Sequence, residues 1–233
     1  MAGWRWTVGV LVSSFSLFAC QGSTVGPGKM PSPAASGAIV ELPPPRTDGE
    51  VSLERALQER RSVRSFTPEP LTLEELGQLL WAGQGITADW GGRTAPSAGA
   101  LYPLEMYAAT PEGLYRYLPE GHRAQVVSAI DVRGALATAA LGQEAVAGAA
   151  AVLVIAAVPA RTEAKYGDRA ERYVHLEAGH AAQNVLLQAV ALGLAAVPVG
   201  AFSDEDVARV LGLDRGEVPL YLIPVGHPAE DAD

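Results

Sequence analysis

The sequence predicts an α+β layered domain. Helix-like segments lead, strand-like runs are dispersed behind them, and one helix-forming stretch is unusually long. Size agrees with this: 233 residues, 48% hydrophobic and 18% charged, suit one domain with a real core.

The elements follow in order. Asp48 or Ser52 can cap a first helix through SLERALQER. RRSVRSF comes next, and Pro68-Glu69-Pro70 turns the chain. Thr72-Leu73-Glu74-Glu75 is a capping box, in which the Thr and Glu side chains satisfy free N–H groups at a helix start. It opens LEELGQLLWAGQG, with Leu73, Leu76, Leu79 and Leu80 on the apolar face. Residues 85–99 read as a Gly-rich loop. LEMYAAT and LYRYLP flank Pro111-Glu112-Gly113, a hairpin signal. Asp131 to Gly142, rich in alanine, reads as a helix, and AAAVLVIAAV as a buried strand. From Asp168 the long helix runs through RAERYVHLEAGHAAQNVLLQAVALGL. AAVPVGAF is a strand, Asp204 to Leu211 a short helix, and VPLYLIPVGHP a final strand. Ala178, Gly179, Ala181 and Ala182 give the long helix a face of small side chains. That face serves either ordinary core packing or the close approach of a partner's helix.

Ahead of the domain, residues 1–19 read as a signal. Arg5 supplies positive charge, and the apolar run from Thr7 to Phe18 is shorter than the ~20 residues a spanning helix needs. Leu17-Phe18-Ala19-Cys20 resembles the end of a bacterial lipoprotein signal, which makes Cys20 the lipidation site. A plain secretory signal and a short uncleaved anchor are the alternatives. Residues 20–47 are rich in Gly, Pro and Ser and read as a tether. Within it, IVELPPP can lie against the domain as an extended arm, and the domain itself is expected over 48–233. The expected location is an exported, membrane-anchored lipoprotein. Gln21 and Gly22 carry no aspartate retention signal, which points to the outer membrane.

The formal charge of −9 argues against a nucleic-acid partner. Cys20 is the single cysteine, so an intrachain disulfide and a CxxC zinc knuckle are excluded. His175 and His180 are not at the i, i+4 spacing of paired zinc ligands, and HExxH is absent, so no metal site is expected. Ser97 lacks the GxSxG elbow of a hydrolase nucleophile. Trp81 and Trp90 are candidate walls for a substrate pocket.

Against that acidic background, RRSVR stands out. Arginine forks match phosphate oxygens in bidentate fashion, and Ser62 adds a hydroxyl. The cluster is either a phosphate seat or a solvated basic face. Neither GxGxxG after a strand nor GxxxxGK[ST] is present, so no dinucleotide fingerprint and no P-loop compete for that role. Pro96-Ser97-Ala98-Gly99-Ala100-Leu101-Tyr102-Pro103 is a second rigid polar loop. In Val197-Pro198-Val199-Gly200-Ala201-Phe202, Gly200 permits a planar ligand to approach the backbone.

Together these motifs resemble the nitroreductase superfamily of flavin enzymes, over roughly residues 52–228. PSAGALYPLE, KYGDRAERYVHLEAGHAAQNVLLQAVALGL and VPVGAF resemble the branch with SagB-type dehydrogenases and azoline oxidases. The resemblance implies a mostly antiparallel sheet flanked by helices, with the long helix at a homodimer interface and FMN held there by both subunits. It implies that Arg60, Arg61, Ser62 and Arg64 bind the phosphate and ribityl chain. Pro96, Ser97 and Ala98 would line the isoalloxazine from the other subunit. Gln143 stands where the family has an amide-bearing flavin contact, and Gly200 and Ala201 give backbone donors near the flavin's reactive edge. Lys165-Tyr166 matches the catalytic Lys-Tyr pair of azoline-oxidising relatives; on its own it reads equally as a surface lysine before a core tyrosine. The tail from His227 departs from the family's basic ending. Two functions are expected from different classes. One is an FMN-dependent oxidoreductase acting on a small organic or peptide heterocycle, with NAD(P)H one candidate electron donor. The other is a non-catalytic surface lipoprotein that binds flavin or another small ligand.

Overall fold

The computed structural model describes residues 35–230. Along the chain run β1 (Ile39–Glu41), α1 (Leu53–Glu59), α2 (Leu73–Gln84), β2 (Leu104–Thr110), β3 (Gly113–Leu118), β4 (Arg123–Ser128), α3 (Arg133–Ala139) and α4 (Glu144–Ala147). Then come β5 (Ala151–Ala157), α5 (Ala160–Tyr166), α6 (Ala170–Ala191), β6 (Ala195–Ala196), α7 (Asp204–Leu211) and β7 (Val218–Gly226). The seven strands form one antiparallel sheet in the order β1-β4-β3-β2-β5-β7-β6.

β5 shows why the layers form. Every residue of AVLVIAA is buried. Leu153 and Ile155 join the core shared with α2 and α6, whereas Val152, Val154 and Ala156 join the core shared with α3, α4 and α7. Alternating side chains point to opposite faces, so a continuous apolar run demands cover on both. Each buried Val, Leu or Ile stabilises by about 1.5–3 kcal/mol.

Local signals set the helix starts. Ser52, rather than Asp48, caps α1 by accepting from Arg55 N. Thr72 and Glu75 form the expected capping box on α2. Leu76, Leu79 and Leu80 are at most 1% exposed.

The structure refines several readings. Residues 39–41, in the stretch expected to lie against the domain as an extended arm, are strand β1 paired with Arg123–Gln125 of β4. Leu42 is buried behind them, and Arg46 exchanges two hydrogen bonds with the Gln78 side chain. The folded unit therefore reaches back before residue 48. The strand expected over 195–202 shrinks to Ala195–Ala196 plus a bridge from Val199 to Leu222, because Pro198 has no N–H for the ladder. Strand β4 and helices α4 and α5 lacked a clear sequence signal. Finally, Ala178, Ala181 and Ala182 are buried within the chain, where small side chains let α6 approach α2 and the sheet. The face α6 leaves open carries His175, Leu176, Gly179 and His180. Residues 1–19 and Cys20 lie outside the described residues.

Candidate functional site

The polar loop is built from unusual backbone. Gly99, Ala100 and Tyr102 all have left-handed φ of 63°, 54° and 46°, which for the two non-glycine residues costs about 1 kcal/mol each. Several contacts offset that strain. Ser97 Oγ accepts from Tyr102 N at 2.9 Å. Arg161 of α5 donates to Tyr102 O at 2.9 Å and pairs with Glu105, which also pairs with Arg116. Arg93 N donates to the Tyr102 hydroxyl, and the Arg93 guanidinium lies 4.5 Å from the Tyr102 ring centre.

Gly99 decides what can sit beside the loop. A methyl group there would come within 2.9 Å of both Lys165 Nζ and Tyr166 Oη. The Lys-Tyr pair of α5 therefore packs directly on the PSAG segment. Lys165 is exposed, and its ammonium lies 5.5 Å from the Tyr166 ring centre. Tyr166 meets Tyr173 of α6 edge to face at 5.0 Å, and Arg169 donates to the Tyr173 hydroxyl. On the other side of the loop, Pro96, Ser97 and Ala98 border a cavity of about 250 Å³ with Tyr173, Leu176, Glu177 and His180.

The arginine cluster lies elsewhere. Arg60 caps α1, and the chain then runs beside the end of the sheet: Val63 N donates to Ala196 O, Phe66 bridges Pro228, and Thr67 N donates to His227 O. Among the described residues Arg61 donates only to the carbonyls of Gln58 and Arg60, and Arg64 to that of Ser62. Among the described residues no carboxylate pairs with Arg60, Arg61 or Arg64. Ser62 is half-buried between them. Arg61 shares a second cavity, of about 240 Å³, with Leu186 and Val190 of α6.

A third group closes on itself. The Gln143 amide donates to Ala140 O and to Ala201 O, the latter at 2.8 Å. Gly200 and Ala201 are exposed, and among the described residues neither N–H donates to a backbone carbonyl. Trp81 lines the grooves beside α6 rather than the PSAG cavity, and Trp90 is largely exposed.

The structure thus unites Lys165 and Tyr166 with the 96–99 loop, and Gln143 with Ala201. It does not unite the loop with the arginines. The two cavities lie along α6, and Glu177 and Val190 are roughly 20 Å apart on its axis at 1.5 Å per residue.

The nitroreductase family model matches residues 57–227. The chain belongs to the nitroreductase family. A nitroreductase-like protein of Methanocaldococcus jannaschii is 48% identical over 187 residues, covering 78% of this chain and 93% of that one. A nitroreductase-like crystal structure from Ralstonia eutropha shares 34% identity, covers 87% of this chain and 96% of its own, and superposes with a TM-score of 0.76. An NADPH:FMN oxidoreductase of Vibrio harveyi has the same fold at 24% identity and a TM-score of 0.58, covering 77% of this chain and 70% of its own. Nitroreductase family members are oxidoreductases and typically bind FMN as dimers.

One residue of this nitroreductase-family chain escaped assignment from the sequence. Glu177 is 3% exposed, and burial pushes its carboxyl group up to about 7, against the opposing pull of a Ser97 hydrogen bond and the Arg93 charge. The signal was present in the period: Val174, Ala178 and Ala181 lie three, one and four residues away on the buried stripe of α6, where a carboxylate is out of place.

Proposed function

We propose that this chain is an FMN-dependent oxidoreductase of the SagB-type dehydrogenase and azoline oxidase branch, acting on a small organic or peptide heterocycle. The observation that carries the reading is the convergence of Lys165 and Tyr166 on Gly99 of the PSAG loop.

The residues fit FMN. Three guanidinium groups, none paired with a carboxylate among the described residues, can neutralise a phosphate, with Ser62 donating beside them. Pro96, Ser97 and Ala98 offer a small, rigid wall for a planar ring, and Glu177, whose Oε1 has no partner among the described residues, lines the same cavity. The Gln143 amide oxygen and the N–H groups of Gly200 and Ala201 are available to ring heteroatoms. When bound, FMN supplies hydride transfer at its N5. The chain's own residues manage the proton. Lys165 Nζ takes the proton leaving the substrate. The Tyr166 hydroxyl hydrogen-bonds the same substrate region.

The site is read as shared by two copies. The roughly 20 Å between loop and arginines along α6 supports arginines from one chain facing the loop of the other. Leu53, Leu57 and Leu176 are 61%, 54% and 52% exposed, an apolar set that a second copy would cover. Cys20 acylation and export belong to the same proposal. Metabolic labelling with palmitate, lost in Cys20→Ser, tests that part.

The first test is the absorption spectrum of the purified protein, followed by cofactor release on denaturation. Flavin bands with FMN released are expected. A colourless protein that takes up no added FMN refutes the reading and leaves a small-ligand-binding lipoprotein.

A further inference from the structure

The 96–103 loop leads into β2, and β5 leads into α5. These two strands are neighbours, with Leu104 opposite Ala157 and Glu105 opposite Ala156. Where they diverge, Val158 N still donates to Pro103 O at 2.8 Å. Beyond that point, among the described residues, no backbone hydrogen bond joins 159–167 to 96–102.

Side chains take over the connection. Arg161 donates through one terminal nitrogen to Tyr102 O and through the other to Glu105 Oε1. The second carboxylate oxygen, Oε2, accepts from Arg116 of β3, at 3.2 Å from Nε and 3.0 Å from a terminal nitrogen. The sheet thus fixes Glu105, and Glu105 fixes the planar Arg161 fork, whose two donors have a set geometry. The Glu105 side chain is 11% exposed, so salt screens this pair less than a surface pair. Arg161 and Lys165 are four residues apart on α5 and share a face. The residue that grips the loop at Tyr102 is therefore one turn from the residue that presses on Gly99.

We propose that Glu105 and Arg161 are positioning residues for the reaction. Through the chain Arg116–Glu105–Arg161–Tyr102 they hold the turn of α5 that carries Lys165 and Tyr166 in register with the 96–99 loop. The proposal rests on the reading of Lys165 and Tyr166 as the groups that meet the substrate. Neither Glu105 nor Arg161 borders the 96–98 cavity, so both act through α5 and the loop.

The test uses the full chain loaded with FMN and a 2-aryl thiazoline as substrate. Arg161→Gln, Glu105→Gln and the double variant are made in two backgrounds, wild type and Lys165→Ala with Tyr166→Phe. In the wild-type background each single variant lowers kcat about 10–100-fold, the usual effect of misplacing a reacting group by about 1 Å. The double variant loses no more than the singles, because both break one chain of contacts. In the second background the same substitutions change kcat by less than about twofold, the ordinary error of additivity, since the groups they position are gone. A loss that persists in that background, or single losses that multiply in the double variant, overturns the proposal.

Amide hydrogen exchange of the FMN-free chain, read by mass spectrometry, accompanies the kinetics and needs no turnover. In both single variants exchange rises about tenfold or more over 97–102 and 161–167, the worth of a charged hydrogen bond, and stays unchanged in β5. Unchanged exchange in the two segments overturns the proposal. So does a rise that reaches β5, because the variants have then loosened the whole fold. A chain that binds no FMN, or binds it without turning over the thiazoline, overturns the reading of the site instead. The exchange measurement then decides the proposal by the same outcomes.

Discussion

The Glu177→Gln variant makes a stability prediction that needs no cofactor. The Glu177 carboxyl group moves from the usual 4.5 to about 7 in the folded chain, chiefly through burial. Below the unfolded value both states carry the proton, and the neutral group contributes its full share of stability. As pH rises through the folded value, the unfolded chain has already released its proton while the folded chain must bury a charge, so that share is lost. Each tenfold change in proton affinity is worth about 1.4 kcal/mol. Between about pH 5 and about pH 8 the wild type should therefore lose about 2 kcal/mol relative to Glu177→Gln, which has no proton to lose. For a folded unit of this size that is a relative gain of about 4–8 °C in Tm for the variant. Differential scanning fluorimetry or urea melts at matched ionic strength, on both proteins freed of ligand, give the difference directly. A wild-type-to-variant difference that stays constant over this range would refute the argument. It would mean that Arg93 or another group compensates the carboxylate and keeps it ionised.

Three further outcomes are expected. Arg61→Ala and Arg64→Ala should each weaken FMN about 10–100-fold while leaving riboflavin, which lacks the phosphate, nearly unaffected, because a charged hydrogen bond is worth about 1.5–3 kcal/mol; parallel titrations of the two ligands check this. Lys165→Ala should retain FMN but lower kcat by about 10²–10⁴-fold on an azoline-type substrate, the usual share of a positioned acid or base. Gly113→Ala should destabilise the fold by at least about 1 kcal/mol in urea. Its φ of 148° suits glycine, and a methyl group would press on the Ser128 backbone oxygen and lie 3.2 Å from Ala129 Cα.

Periodicity and caps made much of the fold legible. Thr72 and Glu75 announced α2, the all-apolar AAAVLVIAAV announced a strand covered on both faces, and Pro111-Glu112-Gly113 announced the β2–β3 hairpin. Strand β4 was obscured because RAQVVS carries only a weak alternation, and its place is secured by β3 on one side and β1 on the other. The polar loop was legible as a motif. Its left-handed residue Tyr102 was not, because it is held by Arg93 and by Arg161, which lies on another element.

The sequence by itself determined the layered architecture, the capped start of α2, the cationic RRSVR cluster and the family, since these depend on short local patterns and their order along the chain. Only the tertiary structure decided which of those pieces meet. It seated Lys165 and Tyr166 against Gly99, tied Gln143 to Ala201, and set the arginines at the other end of α6 from the PSAG loop. It also turned Glu177 from one more charged helix residue into a buried carboxyl group facing a cavity. The reason is physical: desolvation and contact depend on what other elements bring to a side chain, and no local pattern encodes that.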